Sequence, residues 1–180
     1  MFDAFRKKTG RWLATRSEKK NRRKLLHSTD FWAGIQVVLI AVPDGFHAVD
    51  ELKRFLKILK LPKSYSLYFW TTANHLELLK YEFPGSKVIT PADFTYNRWF
   101  IPEKDQVLKH FDPKTNLVID LSMDFQLDSV YLWSCLPEAY RVGMYHYDKD
   151  QYFDVILPVK PETGFPQRLQ HIQTVLNSLN

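Results

Sequence analysis

NLVIDLSMDFQLDSVYLWSCLPEAYRVGMY, residues 116–145, is the stretch whose reading decides the fold. Leu117-Val118-Ile119 is an apolar run suited to a strand buried on both faces. Asp120-Leu121-Ser122-Met123-Asp124 turns the chain. Leu127, Val130, Tyr131, Leu132, Trp133, Cys135 and Leu136 follow, apolar nearly all round, as on a helix covered by other structure. Pro137 stops that helix, and Tyr140 to Met144 reads as the next strand. A strand, a covered helix and a second strand make a parallel unit.

The same alternation runs outward in both directions. Upstream, Ile35 to Val42 predicts a central strand, Val49 to Leu59 a helix and Ser64 to Thr71 a second strand. Asn74-x-x-Glu77 has the form of an N-terminal cap for a helix through Leu79. Lys87 to Thr90 predicts a third strand, and Glu103 to Phe111 a short helix. Downstream, Phe153 to Leu157 predicts a last strand and Phe165 to Leu179 a closing helix. The expected fold is a Rossmann-like, doubly wound α/β domain over residues 31–180, its mostly parallel sheet holding about five to six strands. A basic helical arm over residues 1–30 precedes it.

Composition agrees with one globular unit. At 180 residues, 45% hydrophobic and 15% aromatic, the chain can bury roughly 70% of its unfolded surface. No apolar run approaches the ~20 residues that span a bilayer, and the N-terminus has no apolar leader core. Cys135 is the single cysteine, so no internal disulfide forms. That fits a reducing, cytoplasmic setting, with the thiol as a core residue.

Charge is unevenly placed. Residues 1–27 hold ten Lys and Arg against Asp3 and Glu18, a net +8, while the remainder carries fifteen basic and eighteen acidic residues, a net −3. The cations are Arg6, Lys7, Lys8, Arg11, Arg16, Lys19, Lys20, Arg22, Arg23 and Lys24, with Trp12 among them. Clustered cations interleaved with an aromatic suit a nucleic-acid grip. Phe2, Phe5, Trp12 and Leu13 also form an apolar stripe that could lie on an anionic membrane surface. The third reading is a solvated terminus or a targeting segment, which Asp3 and Glu18 oppose.

In doubly wound sheets ligands sit beyond the carboxyl ends of the strands. That places Asp44, Gly45, Thr71, Thr72, Asp120, Ser122, Asp124, His146, Tyr147 and Asp148 around the expected cleft. The first turn, PDGFHA at 43–48, has one glycine where a dinucleotide fold uses three, and acidic residues stand where a phosphate would bind. No Walker loop or nucleophile elbow occurs. Asp120, Ser122, Asp124 and Asp128 could serve a magnesium ion, but Asp124 as a helix cap and Asp128 as a first-turn charge explain them better. His27, His47, His75, His110, His146 and His171 show no metal-ligand spacing, and His146 beside Asp148 is the best acid–base pair. Catalytic residues, metal and cofactor are therefore all expected to be none. The loop Pro91 to Pro102 carries Phe94, Tyr96, Arg98, Trp99 and Phe100. Tyr96, Arg98, Trp99 and Phe100 are candidates for contact with a partner, although at least half of the aromatics are expected in the core.

Two resemblances follow. The unit 116–145, with its strand ending in Asp120, covered helix and Arg141-Val142-Gly143 strand, resembles the N-terminal, acceptor-side half of heptosyltransferase-like GT-B glycosyltransferases. That family's glycine-rich first turn is PDGFHA here, and no donor-binding second domain lies within these 180 residues. The resemblance implies the alternative of a degenerate or partner-completed glycosyltransferase-like enzyme. Over nearly its whole length the chain also resembles an uncharacterised bacterial family grouped as a domain of unknown function. The shared features are MFDAFRKK, Trp99-Phe100, the strand ending in Asp120, Arg141-Val142-Gly143, Asp154 to Leu157 and the final Leu179-Asn180. That family implies no activity. The leading expectation is a non-catalytic module gripping structured RNA, with the ribosome as its setting. Alternative partners are an anionic membrane surface or another protein.

Overall fold

Six parallel strands in the order β3-β2-β1-β4-β5-β6 form the centre of the computed structural model. The structure describes residues 2–20, 31–59, 61–160 and 162–178, with backbone alone for Phe2, Phe5, residues 17–20 and Asp150. The strands are β1 (Val37–Ala41), β2 (Ser66–Trp70), β3 (Lys87–Ile89), β4 (Thr115–Asp120), β5 (Tyr140–Met144) and β6 (Val155–Leu157). Strand order reverses between β1 and β4, the switch point of a Rossmann-like doubly wound sheet. The helices are α1 (Phe2–Lys20), α2 (Val49–Ile58), α3 (Leu76–Glu82), α4 (Lys104–His110), α5 (Leu127–Ser134) and α6 (Phe165–Asn177).

Alternation along β1 divides the core. Val38 and Ile40 face α2 and α6, meeting Leu52, Phe55, Leu169 and Ile172, while Leu79 of α3 joins the same layer. Leu39 and Ala41 face the other way, toward Val107 of α4, Phe111 and Leu132 and Trp133 of α5. Both faces are covered, so β1 and β4 read as continuous apolar runs rather than alternating ones. Cys135 is buried in the second layer, and burial pushes its thiol up.

The link from β5 to β6 carries only a 3-10 turn, Asp150–Tyr152, instead of a crossover helix. Helix α1 packs on that turn and on α5. Ala14, Val130 and Tyr152 form a small fully buried cluster, and Thr15 Oγ1 lies 2.9 Å from the Tyr152 hydroxyl. Gly10 makes the approach possible, because a Cβ there would stand 2.5 Å from the Trp99 carbonyl oxygen and 2.8 Å from Leu127. The docking surface of α1 is thus Gly10, Ala14 and Thr15. The suggested stripe of Phe2, Phe5, Trp12 and Leu13 takes no part in this contact through Trp12, which is 58% exposed, and the side chains of Phe2 and Phe5 lie outside the described ones. Small residues win because they let the α1 backbone close on its neighbours. Gly10→Leu is expected to lower stability by roughly 1–3 kcal/mol through overpacking and to quicken amide exchange in α1. Unchanged exchange would show that α1 does not depend on this contact.

Two local expectations are corrected. Asn74 falls within a 3-10 turn, Ala73–His75, and no side chain caps α3. Asp124 does not cap α5, which begins after Gln126 without a side-chain cap. Its first-turn carboxylate, Asp128, accepts from the Ser129 amide at 2.9 Å.

Candidate functional site

The carboxyl ends of β4 and β5 open into a cleft of about 460 Å3. One wall comes from the β4–α5 loop through Asp124 and Phe125, and another from the β5–β6 link through His146, Tyr147 and Asp148. Lys7 and Arg11 reach over it from α1, and Phe100 enters from the 91–102 loop. A second depression, about 500 Å3, lies at the switch point, with Asp44, Gly45 and His47 on one side and Asp124 and Arg168 on the other. Asp124 is common to both.

Of the expected cleft residues, Asp124, His146, Tyr147 and Asp148 line the cleft at the ends of β4 and β5, and Asp44 lines the switch-point depression, where its carboxylate accepts from Thr72 Oγ1 at 2.6 Å. Asp120 and Ser122 line neither and are buried, at 1% and 5% exposure. Lys149 Nζ, fully buried, donates to Asp120 Oδ2 at 3.3 Å, to Ser122 Oγ at 3.0 Å and to the Ser122 carbonyl at 2.9 Å. Ser122 donates its hydroxyl, at 2.6 Å, and its amide, at 2.9 Å, to Asp120 Oδ1. This closed network staples the β5–β6 link to the end of β4. Asp120 therefore faces an internal cation rather than solvent. Lys149 escaped the sequence reading because HYDKDQY looks like an ordinary polar surface loop. Among the described residues no three His, Cys, Asp or Glu side chains gather as a metal site.

Flat groups line the cleft. Tyr147 stacks on His146 with centroids 4.6 Å apart and planes at 26°, and His146 stacks on Phe125 at 6.2 Å and 30°. The Arg11 guanidinium covers Phe125 at 4.5 Å and pairs with the Asp148 carboxylate. The acid–base pair expected of His146 and Asp148 is loose, at 4.0 Å, while the Asp148 amide donates to His146 Nδ1 at 3.2 Å. Asp148 thus spends its carboxylate on α1.

Of the four aromatics in the 91–102 loop, Phe94 alone is buried, fewer than the half expected in the core. Phe94 is buried against Trp70 and Phe111, and Tyr96 is half-buried beside Asp128. Arg98 and Phe100 are exposed and Trp99 half-buried. Asn97 accepts from the amides of Trp99 and Ile101, a turn that holds Phe100 at φ 60°, in the left-handed region non-glycine residues rarely adopt. Arg6 stacks on Phe100 at 4.3 Å and Arg98 on Trp99 at 4.6 Å. On α1, Arg16 lies 5.4 Å from the Trp12 ring. Lys7 and Lys8 are exposed, with no partner among the described residues. The side chains of Lys19 and Lys20, and all of Arg22, Arg23 and Lys24, lie outside the described residues.

Burial pushes the Asp128 carboxyl above its ordinary range, and burial followed by the nearby Asp128 charge pushes the Tyr96 hydroxyl up. A raised folded-state value means that the protonated acid favours folding. That contribution is complete below the unfolded value near 3.9 and is lost as pH rises through the folded one. Asp128→Asn is expected to raise the urea midpoint at pH 7 and to lose this advantage toward pH 4. A lowered midpoint at pH 7 would show that the ionised form stabilises the fold through Ser129 and Tyr96.

No family model and no curated protein matches the sequence. Among solved structures, a hypothetical protein from Streptococcus mutans is similar at 12% identity and a TM-score of 0.38. The alignment covers 70% of this chain and 43% of that one, so this chain spans less than half of that protein's length. A likeness this slight carries no functional argument. Among the described residues no helix is long and apolar enough to cross a membrane.

Proposed function

We propose that this protein is a non-catalytic binding module that contacts structured RNA through α1 and the loop beside it. The observation that carries the reading is the gathering of guanidinium–aromatic stacks along α1: Arg6 on Phe100, Arg11 on Phe125, Arg16 on Trp12 and Arg98 on Trp99. Exposed Lys7 and Lys8 add cations for phosphate, while exposed aromatic faces suit bases. The docking of Gly10 and Ala14 gives this surface a fixed platform, which lowers the entropy lost on binding. Nothing favours the glycosyltransferase-like alternative, because Asp120 is committed to Lys149.

Ultraviolet crosslinking of the full chain to cellular RNA tests the reading. Crosslinked peptides are expected from α1 and residues 94–102, Trp12 and Trp99 above all. Their absence, or crosslinks confined to the opposite face around α2 and α6, would overturn it.

A further inference from the structure

We infer that the cleft between α1 and the β4 and β5 loops receives one unpaired base bearing an exocyclic amine, that is cytosine, adenine or guanine rather than uracil, from a single-stranded stretch of RNA. The inference rests on the RNA-binding reading and names what that site selects. Arg11, Phe125, His146 and Tyr147 form a continuous ladder of flat groups, and its outer rung, Tyr147, is 74% exposed. A stack that ends on an open aromatic face is extended by any base laid on it. Bases inside an A-form duplex cannot reach such a face, whereas splayed bases of loops and ends can. At about 460 Å3 the cleft falls within the roughly 300–1,000 Å3 of small-ligand sites.

Base choice comes from Asp124. Its side chain is exposed on the cleft wall and has no partner among the described residues. An ionised carboxylate only accepts hydrogen bonds, so it suits the exocyclic amine of cytosine, adenine or guanine and faces the uracil O4 with like polarity. Lys7, on the rim, can hold the adjoining phosphate.

Fluorescence anisotropy with the full chain and eight-nucleotide oligo(C), oligo(A), oligo(U) and a duplex of equal length tests this. Oligo(C) and oligo(A) are expected to bind at least fivefold more tightly than oligo(U). Tyr147→Ala should weaken single-strand binding roughly five- to 100-fold, the range for losing one base–aromatic stack, and leave duplex binding unchanged. Asp124→Asn, whose amide can donate as well as accept, should erase the preference over oligo(U) while the oligomers still bind. Equal binding of all four RNAs, unmoved by Tyr147→Ala, overturns the cleft assignment and leaves the RNA-binding reading standing. Binding to none of them overturns both.

Discussion

Lys149→Met is expected to destabilise the protein by about 3–5 kcal/mol, the effect of leaving a buried charge without its partner. For a chain of this size that corresponds to a fall in Tm of roughly 6–20 °C. The reason lies in the burial of both ions, 0% and 1% exposed, and in the sharing of Ser122 between them. Removing the ammonium leaves the Asp120 carboxylate with Ser122 donors and no cation. Asp120→Asn alone should also destabilise, because the ammonium then lacks a counter-charge. Combining Asp120→Asn with Lys149→Met removes both charges, and much of the loss should return, giving a large favourable coupling in a double-mutant cycle. Additive losses would show that the two residues act separately, and the β5–β6 link would need another explanation for its anchoring.

Trp133→Ala is expected to cost about 3–5 kcal/mol. Its ring is fully buried at the centre of the second core layer, with edge-to-face contacts to Trp70 at 6.4 Å and to Phe111 at 6.4 Å. Truncation leaves a cavity between α4, α5 and the sheet that rigid neighbours cannot fill. Trp133→Phe should be far milder, because the indole N–H has no acceptor among the described residues, so its loss orphans nothing. By contrast, the Trp70 indole donates to Ser129 Oγ at 2.9 Å. Chemical denaturation of the two Trp133 variants checks this. Equal losses would mean that a polar partner of Trp133, rather than ring volume, holds the site.

The sheet was legible because strands buried on both faces need uninterrupted apolar runs, and Val37–Ala41 and Leu117–Ile119 are such runs. Helices α2 and α6 showed their apolar spacing for the same reason, each covering one face of that sheet. The docking of α1 was hidden. It rests on the smallness of Gly10 and Ala14, which carries no periodic signal, while Trp12 and the cations suggested a basic arm separate from the domain. The cleft was half legible: topology pointed to the strand ends and so to Asp124 and His146. Phe125 sits beside Asp124 in the same loop, while Lys7 and Arg11 arrive by the packing of α1 on α5 and on the 150–152 turn, a long-range contact that local pattern does not encode. Asp120 looked like a cleft residue because a strand-end carboxylate usually faces outward, and only Lys149, twenty-nine positions later, turns it inward.

Packing also shapes the decisive experiment. Deleting the N-terminal segment would uncover Val130 and Tyr152, so lost RNA affinity could reflect a damaged fold. Substitution of the exposed cations avoids this. RNA affinity titrated against salt, for the wild type and for the Lys7→Ala/Lys8→Ala/Arg16→Ala variant, tests the central claim most directly. Each neutralised phosphate contributes a log–log slope of about −0.7 to −0.9. The account predicts a wild-type slope of roughly −5 or steeper, made shallower by about 2 to 3 in the variant. Equal slopes in the two proteins, or no salt-sensitive affinity in either, would contradict it.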